Sequence, residues 1–197
     1  MVLLLIMQRL PYVEWGLSSL FAGTTKRKRQ IEVKDKDLGT VDLTFDLEAE
    51  DRMTHYGLRG RATNVFPVES ERLSKLLKDQ PSENTSKDMV AKLYWPEQSR
   101  ESEPDILKKV QAIAEKNPDV KGHIPEMVWF HKFDETSTAS IRKILGIDKP
   151  DRGSRTLYII VFRRLVPITT LSGKEFLKAW WHVVVCRCPC FLRVIDH

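Results

Sequence analysis

A single well-bounded helical segment, flanked by apolar runs too short to be helices, most constrains the fold of this chain. Residues 99–116 carry apolar side chains at helical spacing, namely Ile106, Leu107, Val110, Ile113 and Ala114. Ser99 or Ser102 can cap this segment, Pro104 is tolerated in its first turn, and Asn117-Pro118 ends it. The sequence therefore predicts one strong helix over residues 99–116.

Short apolar segments surround this helix. Residues 43–47 and 62–68 alternate as half-buried strands do, and residues 89–94, 127–133 and 156–162 are compact apolar runs. Between the last two runs lies a polar stretch with proline and glycine, which predicts a loop with a helical turn. Because the order lacks the regular strand-helix alternation of a parallel sheet, we expect an α+β fold with an antiparallel sheet.

Two further segments have helical spacing. Between Glu69 and Gln80 leucines recur at intervals of three and four, and Pro81 ends the pattern. The segment from Gly173 to about Cys188 carries large apolar residues at the same spacing, namely Phe176, Leu177, Trp180, Trp181 and Val184. Its three consecutive valines taken alone would favour a strand, but the longer pattern predicts a helix.

Charge and cysteine content exclude several functions. The 197 residues include 32 Lys and Arg against 27 Asp and Glu, a net charge of +5, and this small excess does not imply nucleic-acid binding. The basic run 26–29 is expected to be a solvated loop rather than a nuclear-import or phosphate-binding patch. Cys186, Cys188 and Cys190 are too closely spaced for a disulfide scaffold, and no second pair of zinc ligands accompanies them, so we expect no metal site.

The apolar start of the chain is too short to cross a membrane. Residues 1–7 are apolar, but Arg9 and Pro11 end the run, and no basic residue precedes it as in a signal peptide. We therefore expect a soluble intracellular protein, cytoplasmic or nuclear, with no membrane partner. Residues 1–45 as a whole are expected to form an N-terminal extension, whose structure the sequence specifies only weakly.

A lysine inside the apolar run 89–94 indicates chemistry rather than packing. A buried ammonium is costly unless a carboxylate pairs with it. Glu103 shares the apolar face of the following helix, whereas Glu101 falls outside that face. The spacing therefore predicts that Lys92 contacts Glu103. The simplest alternative is a surface ion pair worth about 0–1 kcal/mol with no other role.

A glycine-containing turn precedes this lysine. Gly60 lies where two strands would meet in a hairpin, and backbone N–H groups of such a turn can approach a phosphate. Of the pattern G-x-G-x-x-G-x-V only Gly60 and Val65 match, with Leu58 and Thr63 in the other glycine places. Taken alone, this turn is more typical of a hairpin without a ligand.

Three blocks of sequence together resemble the fungal-type protein kinase family. They are residues 60–65, residues 91–96 with Arg100 and Glu103, and a set of positions from Val161 to Trp180. The resemblance covers residues 55 to 197, and its second and third blocks are the more distinctive. It implies a protein-kinase-like N-lobe with an antiparallel sheet and one main helix, followed by the first helices of an incomplete C-lobe.

The resemblance implies roles for individual residues. Lys92 would contact the phosphates of the nucleotide, and Glu103 would hold it, as the strand lysine and helix glutamate of protein kinases do. Gly60 and Val65 would cover the nucleotide. The hinge beside the adenine would consist of Phe162, Arg163, Arg164 and Leu165. The implied cofactor is ATP with Mg²⁺.

The resemblance also divides the chain and predicts an incomplete kinase. Residues 1–45 would be an extension, 46–166 the N-lobe, and 167–197 the hinge exit and the start of the C-lobe. His197 stands where the family places the histidine of its H-R-D loop, so we expect no counterpart of the catalytic aspartate, the metal-binding asparagine or the D-F-G aspartate. The expected function is that of an ATP-dependent Ser/Thr-type phosphotransferase domain that is inactive as given.

A different class of function is also consistent with the sequence. A pseudokinase-like module would engage a protein partner through its sheet and an exposed helix without binding nucleotide. Without a C-lobe, the apolar side chains near the end of the chain would stay partly exposed and promote self-association. They are Phe176, Trp180, Trp181, Val184, Phe191 and Leu192. Nucleotide titration distinguishes the kinase-like hypothesis from this alternative.

Overall fold

Antiparallel strands and separate helices make up the structure, a computed structural model that describes residues 28–46, 48–49, 53–54, 63–77, 89–117, 120, 122–147, 149, 153–165 and 170–194. The strands are β1 (Lys28–Asp35), β2 (Gly39–Asp46), β3 (Met53–Thr54), β4 (Asn64–Glu69), β5 (Met89–Tyr94), β6 (Met127–Ser137) and β7 (Thr156–Arg163). The helices are α1 (Glu71–Leu76), α2 (Glu103–Ala114), α3 (Thr138–Ile144) and α4 (Gly173–Val194). This architecture confirms the predicted α+β class.

The chain divides into two compact units. The first contains Met1–Met53 and Phe66–Lys87, and the second contains Thr54–Val65 and Asp88–His197. In the first unit β1 pairs with β2, and β2 pairs with β4 through Phe45 and Val68, in both cases antiparallel. The apolar residues of this hairpin that point to one face are at most 4% exposed. They are Ile31, Val33, Val41, Leu43 and Phe45.

Residues 28–45 of the expected N-terminal extension, whose structure the sequence specifies only weakly, form the strands β1 and β2. In β1 charged residues alternate with Ile31 and Val33, and a period of two is that of a strand with one buried face. The turn that follows is held by the Asp35 carboxylate, which accepts the N–H groups of Asp37 and Leu38, both at 2.9 Å. The high charge content hid an amphipathic strand.

The basic run also differs in part from its expected loop. Lys28 and Arg29 lie in β1, and Lys28 Nζ is 3.6 Å from a Glu69 carboxylate oxygen. Lys26 and Arg27 lie outside the described residues. The two described residues of the run are therefore the first two residues of β1 and do not form a loop.

In the second unit β7 lies between β5 and β6 in an antiparallel sheet. Lys92 of β5 and Phe130 of β6 both stand opposite Ile160 of β7. One sheet face is a core whose members are at most 8% exposed: Ala91, Leu93, Trp129, Phe133, Leu157, Ile159 and Val161. Because strand side chains alternate, Lys92 lies on the opposite face. Helices α2 and α3 pack against β6.

The helices of the second unit are present with altered bounds. Ser102, one of the two expected caps, begins α2 at Glu103, four residues later than the predicted segment, and Pro104 lies in its first turn. The helical turn expected after β6 is α3. The helix prediction for the last segment is confirmed by α4, which continues to Val194. No described helix has the length and apolar content needed to cross a membrane.

Candidate functional site

Lys92 and Glu103 form an ion pair in the second unit. Lys92 Nζ lies 2.7 Å from both Glu103 Oε1 and Oε2. The two side chains are 25% and 28% exposed, so water screens their attraction less than it would on an open surface. The contact that the spacing predicts is therefore present.

The start of α2 places the carboxylate opposite the strand. Ser102 has an extended backbone and its hydroxyl oxygen accepts the Asp105 N–H at 3.3 Å, which satisfies one of the free donors of the first turn. Glu103 is consequently the first helical residue, and its side chain reaches back to β5. A carboxylate in the first turn also interacts favourably with the helix dipole.

The apolar stripe of α2 is less buried than the sequence indicates. Pro104 and Ala114 are the buried residues of this helix, whereas Leu107, Val110 and Ile113 are half-buried and Ile106 is exposed. Ile106 faces a cavity instead of a core. The prediction that Glu103 faces the sheet, because it lies on the same helix face as these residues, is confirmed. The apolar face itself is only partly buried.

This cavity has a volume of about 440 Å³ and borders the ion pair. Its size lies within the range of pockets that hold small ligands. Its lining consists of Lys92, Tyr94, Pro96, Glu97, Arg100, Glu101, Glu103, Ile106 and Arg155. Arg155 Nη1 donates to the Trp95 carbonyl at 2.8 Å, which fixes one part of the wall.

The charged groups of the lining are largely paired. Arg100 Nε lies 3.4 Å from Glu97, and Glu101 pairs with Lys109, which lies outside the cavity. The lining therefore carries three cationic side chains, Lys92, Arg100 and Arg155, and three carboxylates, and Lys92 and Arg100 are themselves the partners of two of these carboxylates. A phosphate oxygen is the kind of acceptor that the Lys92 ammonium, which has one N–H beyond its contacts with Glu103, could still bind.

Two tyrosines lie on the same sheet face as Lys92. Lys92 Nζ is 5.1 Å from the centre of the Tyr94 ring, and Tyr158 on β7 stands opposite Tyr94 with ring centres 5.7 Å apart. Burial raises the pKa of Tyr158 above its ordinary value of 10.0, while the nearby Lys132 ammonium acts in the opposite direction. The hydrogen bond to Asp134 raises the pKa of Lys132.

The structure brings together only part of the predicted site. Phe162 stands opposite Val90, so both lie on the sheet face that carries Lys92. Val65 is a half-buried residue of β4 in the same unit as Lys92. Gly60 and His197 lie outside the described residues.

The predicted hinge residues occupy the end of β7 and the positions after it. The Arg163 N–H donates to the Glu126 carbonyl at 2.9 Å, and Arg163 Nη1 is 3.0 Å from the Glu126 carboxylate. This backbone donor is therefore engaged by the residue that directly precedes β6. Arg164 and Leu165 follow the strand and are exposed.

Three lining or supporting residues were missed by the sequence reasoning. Tyr94 follows Lys92 by two positions, so the strand period alone could have placed it on the same face. Tyr158 in β7 and Arg155, which directly precedes β7, lie more than 60 residues after Lys92 in the sequence, and no local sequence pattern predicts their proximity. Within the described part of the chain no group of three or more His, Cys, Asp or Glu side chains could hold a metal ion.

Comparison with known proteins places the chain in a family. The model of the fungal protein kinase family matches residues 2–174. This range begins before the motifs that indicate the resemblance, so it includes the β1–β2 hairpin, and it ends in the first turn of α4. Neither the curated proteins nor the solved structures gave a match. Since the family model covers well over half of the 197 residues, the chain belongs to the fungal protein kinase family.

Proposed function

We propose that the second unit binds ATP, with Lys92 directed at the phosphates. The observation that carries this proposal is the 2.7 Å contact of Lys92 with both Glu103 oxygens beside a cavity of about 440 Å³. The Lys92 ammonium has three N–H donors, and two of them are directed at the Glu103 carboxylate oxygens. The third N–H is left for an oxygen of the ligand. Protein kinases use the same lysine and glutamate pairing to orient the nucleotide.

The remaining predicted residues would bind the other parts of the nucleotide. Gly60 and Val65 would cover it, and Phe162 would offer an apolar contact to the base. Because the Arg163 N–H is engaged by Glu126, the hydrogen bonds to the base would come from backbone groups of Arg164 and Leu165. Bound Mg²⁺ supplies neutralisation of the phosphate charge. The N-lobe would extend over residues 46–166, with residues 167–197 as the start of a C-lobe.

The Lys92→Ala variant is expected to bind MgATP at least tenfold more weakly than the wild type. The substitution removes a charge-assisted hydrogen bond and leaves the Glu103 carboxylate facing the phosphates, and about 1.4 kcal/mol corresponds to each factor of ten. Titration calorimetry with MgATP measures the two dissociation constants.

Lys28→Ala is the matched control for this titration. Lys28 is also paired with a glutamate, Glu69, and neither residue lines the cavity, so the loss of the Lys28 side chain should change the affinity less than twofold. Equal dissociation constants for the wild type and Lys92→Ala, or no heat of binding in either, would contradict the proposal.

We propose that Lys92 and Glu103 serve the reaction of this family, ATP-dependent phosphotransfer to Ser or Thr side chains, by orienting the nucleotide. We infer that a polypeptide of these residues alone binds nucleotide without transferring phosphate. Its sequence has no counterpart of the catalytic-loop aspartate and asparagine or of the D-F-G aspartate. Lys92 and Glu103 would then orient a nucleotide whose γ-phosphate meets no catalytic base.

A second candidate function, protein interaction, is favoured by the surface of α4. Phe176, Trp180, Trp181 and Val184 are exposed, which agrees with the exposure that the sequence predicts, while the side chains of Phe191 and Leu192 lie outside the described part. Contiguous apolar surface of this kind usually marks a site of association. We propose that a second copy of the chain covers it.

The double variant Trp180→Ser with Trp181→Ser is expected to self-associate at least tenfold more weakly than the wild type. The two indoles are 53% and 60% exposed. Covering half of a tryptophan, roughly 100 Å², is worth roughly 2.5 kcal/mol. Sedimentation velocity at micromolar concentration should show oligomers of the wild type and a shift of the variant toward monomer.

The control carries the same kind of change at the C-terminal end of α3, at Ile144 and the capping residue Leu145. Ile144 and Leu145 are 85% and 69% exposed, so the double variant Ile144→Ser with Leu145→Ser removes comparable apolar surface elsewhere in the same unit. It should sediment as the wild type does. A monomeric wild type, or an equal shift for both double variants, would remove the argument for α4 as the interface.

A further inference from the structure

The Lys92 side chain has a second neighbour in addition to Glu103, the Tyr94 ring. A lysine has four rotatable side-chain bonds, and ordering it costs conformational entropy. Glu103 is itself a flexible side chain that is more than a quarter exposed. One ion pair between two such chains leaves both free to move together, so a fixed ammonium position requires a rigid contact as well.

The Tyr94 ring provides a rigid surface at that position. Tyr94 is 1% exposed and lies two residues after Lys92 on the same strand, so both side chains leave the same face of the sheet. Lys92 Nζ lies 5.1 Å from the ring centre, within the distance at which a ring attracts a cation. The ring and the carboxylate thus contact the same ammonium group.

Tyr94 is held in turn by the neighbouring strand. Tyr158 stands directly opposite Tyr94 in the antiparallel register, and the two rings are 5.7 Å apart at an angle of 44°. Such cross-strand aromatic pairs are among the contacts that stabilise a sheet. The ring below Lys92 therefore has little freedom to move, unlike the Glu103 side chain.

We propose that Tyr94 is a positioning residue that holds the Lys92 ammonium at the cavity wall, where the proposed nucleotide function requires it. The aromatic ring performs this role, and the hydroxyl is dispensable for it. Tyr94→Phe should therefore keep the Lys92–Glu103 pair. Tyr94→Leu, which keeps apolar volume but has no ring, should loosen the pair. The benefit of this role for nucleotide binding rests on the proposed function. The restraint on the Lys92 ammonium itself can be measured without a nucleotide.

Carbodiimide cross-linking followed by peptide mass spectrometry measures the restraint. The reagent joins a carboxylate and an amine that are in contact, so the yield of the Lys92–Glu103 cross-link reports how often the two groups meet. The Lys28–Glu69 pair of the first unit serves as an internal reference in each sample. Tyr94→Leu should lower the relative Lys92–Glu103 yield about fivefold, within the range of a partly desolvated cation–π contact, and Tyr94→Phe should change it less than twofold.

Phe130→Leu is the matched control, because Phe130 lies under a different lysine of the same unit. Lys108 Nζ is 4.6 Å from the centre of the Phe130 ring, so this variant removes a comparable contact without touching Lys92. It should leave the Lys92–Glu103 yield unchanged. An unchanged yield in Tyr94→Leu, or an equal loss in Phe130→Leu, overturns the proposal.

A replacement variant and one further measurement keep the outcome interpretable. If Tyr94→Leu lacks a cooperative thermal transition, Tyr94→Met, a flexible side chain without a ring, replaces it in the same comparison. MgATP titration of the folded variants then tests whether the restraint contributes to nucleotide binding. The affinity of Tyr94→Leu for MgATP should fall by the same factor as its cross-link yield. A lower yield with no nucleotide binding in the wild type would refute the nucleotide function and keep the restraint, whereas binding with an unchanged yield would refute the restraint alone.

Discussion

A polypeptide of these 197 residues should show no ATP-dependent phosphorylation of itself or of added protein substrates above the level of its Lys92→Ala variant. Protein kinases accelerate phosphoryl transfer mainly by positioning the substrate hydroxyl and by placing metal ions and other charges around the γ-phosphate. The Lys92–Glu103 pair would position the nucleotide phosphates, but it does not position the substrate hydroxyl. We expect a rate at least about 10⁴-fold below the roughly 1–100 s⁻¹ typical of kinases.

Transfer of radiolabel from ATP to protein measures this rate. The Lys92→Ala protein, prepared in parallel, serves as the control because a contaminating kinase would contribute equally to both samples. The expected outcome is equal, background incorporation. Incorporation by the wild type that Lys92→Ala abolishes would show that these residues form a working catalyst, and the proposal of an inactive nucleotide-binding unit would then be withdrawn.

Phe45→Ala is expected to lower the free energy of unfolding of the first unit by about 3–5 kcal/mol, as large-to-small substitutions in protein cores do. Phe45 is 1% exposed and meets the Phe66 ring edge to face, with ring centres 6.0 Å apart. The substitution removes this contact and leaves a cavity between β2 and β4. Urea denaturation followed by circular dichroism measures the change.

Thr44→Ala separates the effect of burial from that of strand propensity. Thr44 is the neighbouring residue of β2, is half-buried and points to the opposite face, so its loss should cost less than about 1 kcal/mol. If residues 28–46 were only a loosely attached extension, both variants would unfold at the urea concentration of the wild type. That result would contradict the hairpin core described above.

Local patterns in the sequence were sufficient for most elements of the second unit. The bounds of β5 agree with the apolar run 89–94, and the helix class of α2 and α4 agrees with their apolar spacing. Prediction was weaker for β1, where charged residues on the exposed face concealed Ile31 and Val33 on the buried one. A charge count averages over both faces of a strand, whereas burial depends on each face separately.

The sequence by itself determined the Lys92–Glu103 contact, because strand alternation and helix periodicity each specify a side-chain direction within a few residues. Only the tertiary structure decided what surrounds that contact. Arg155 reaches the Trp95 carbonyl across 60 positions of sequence, and Tyr158 meets Tyr94 through the register of two strands. Register depends on how the whole sheet buries its apolar face, and this nonlocal free energy cannot be obtained from any short stretch of sequence.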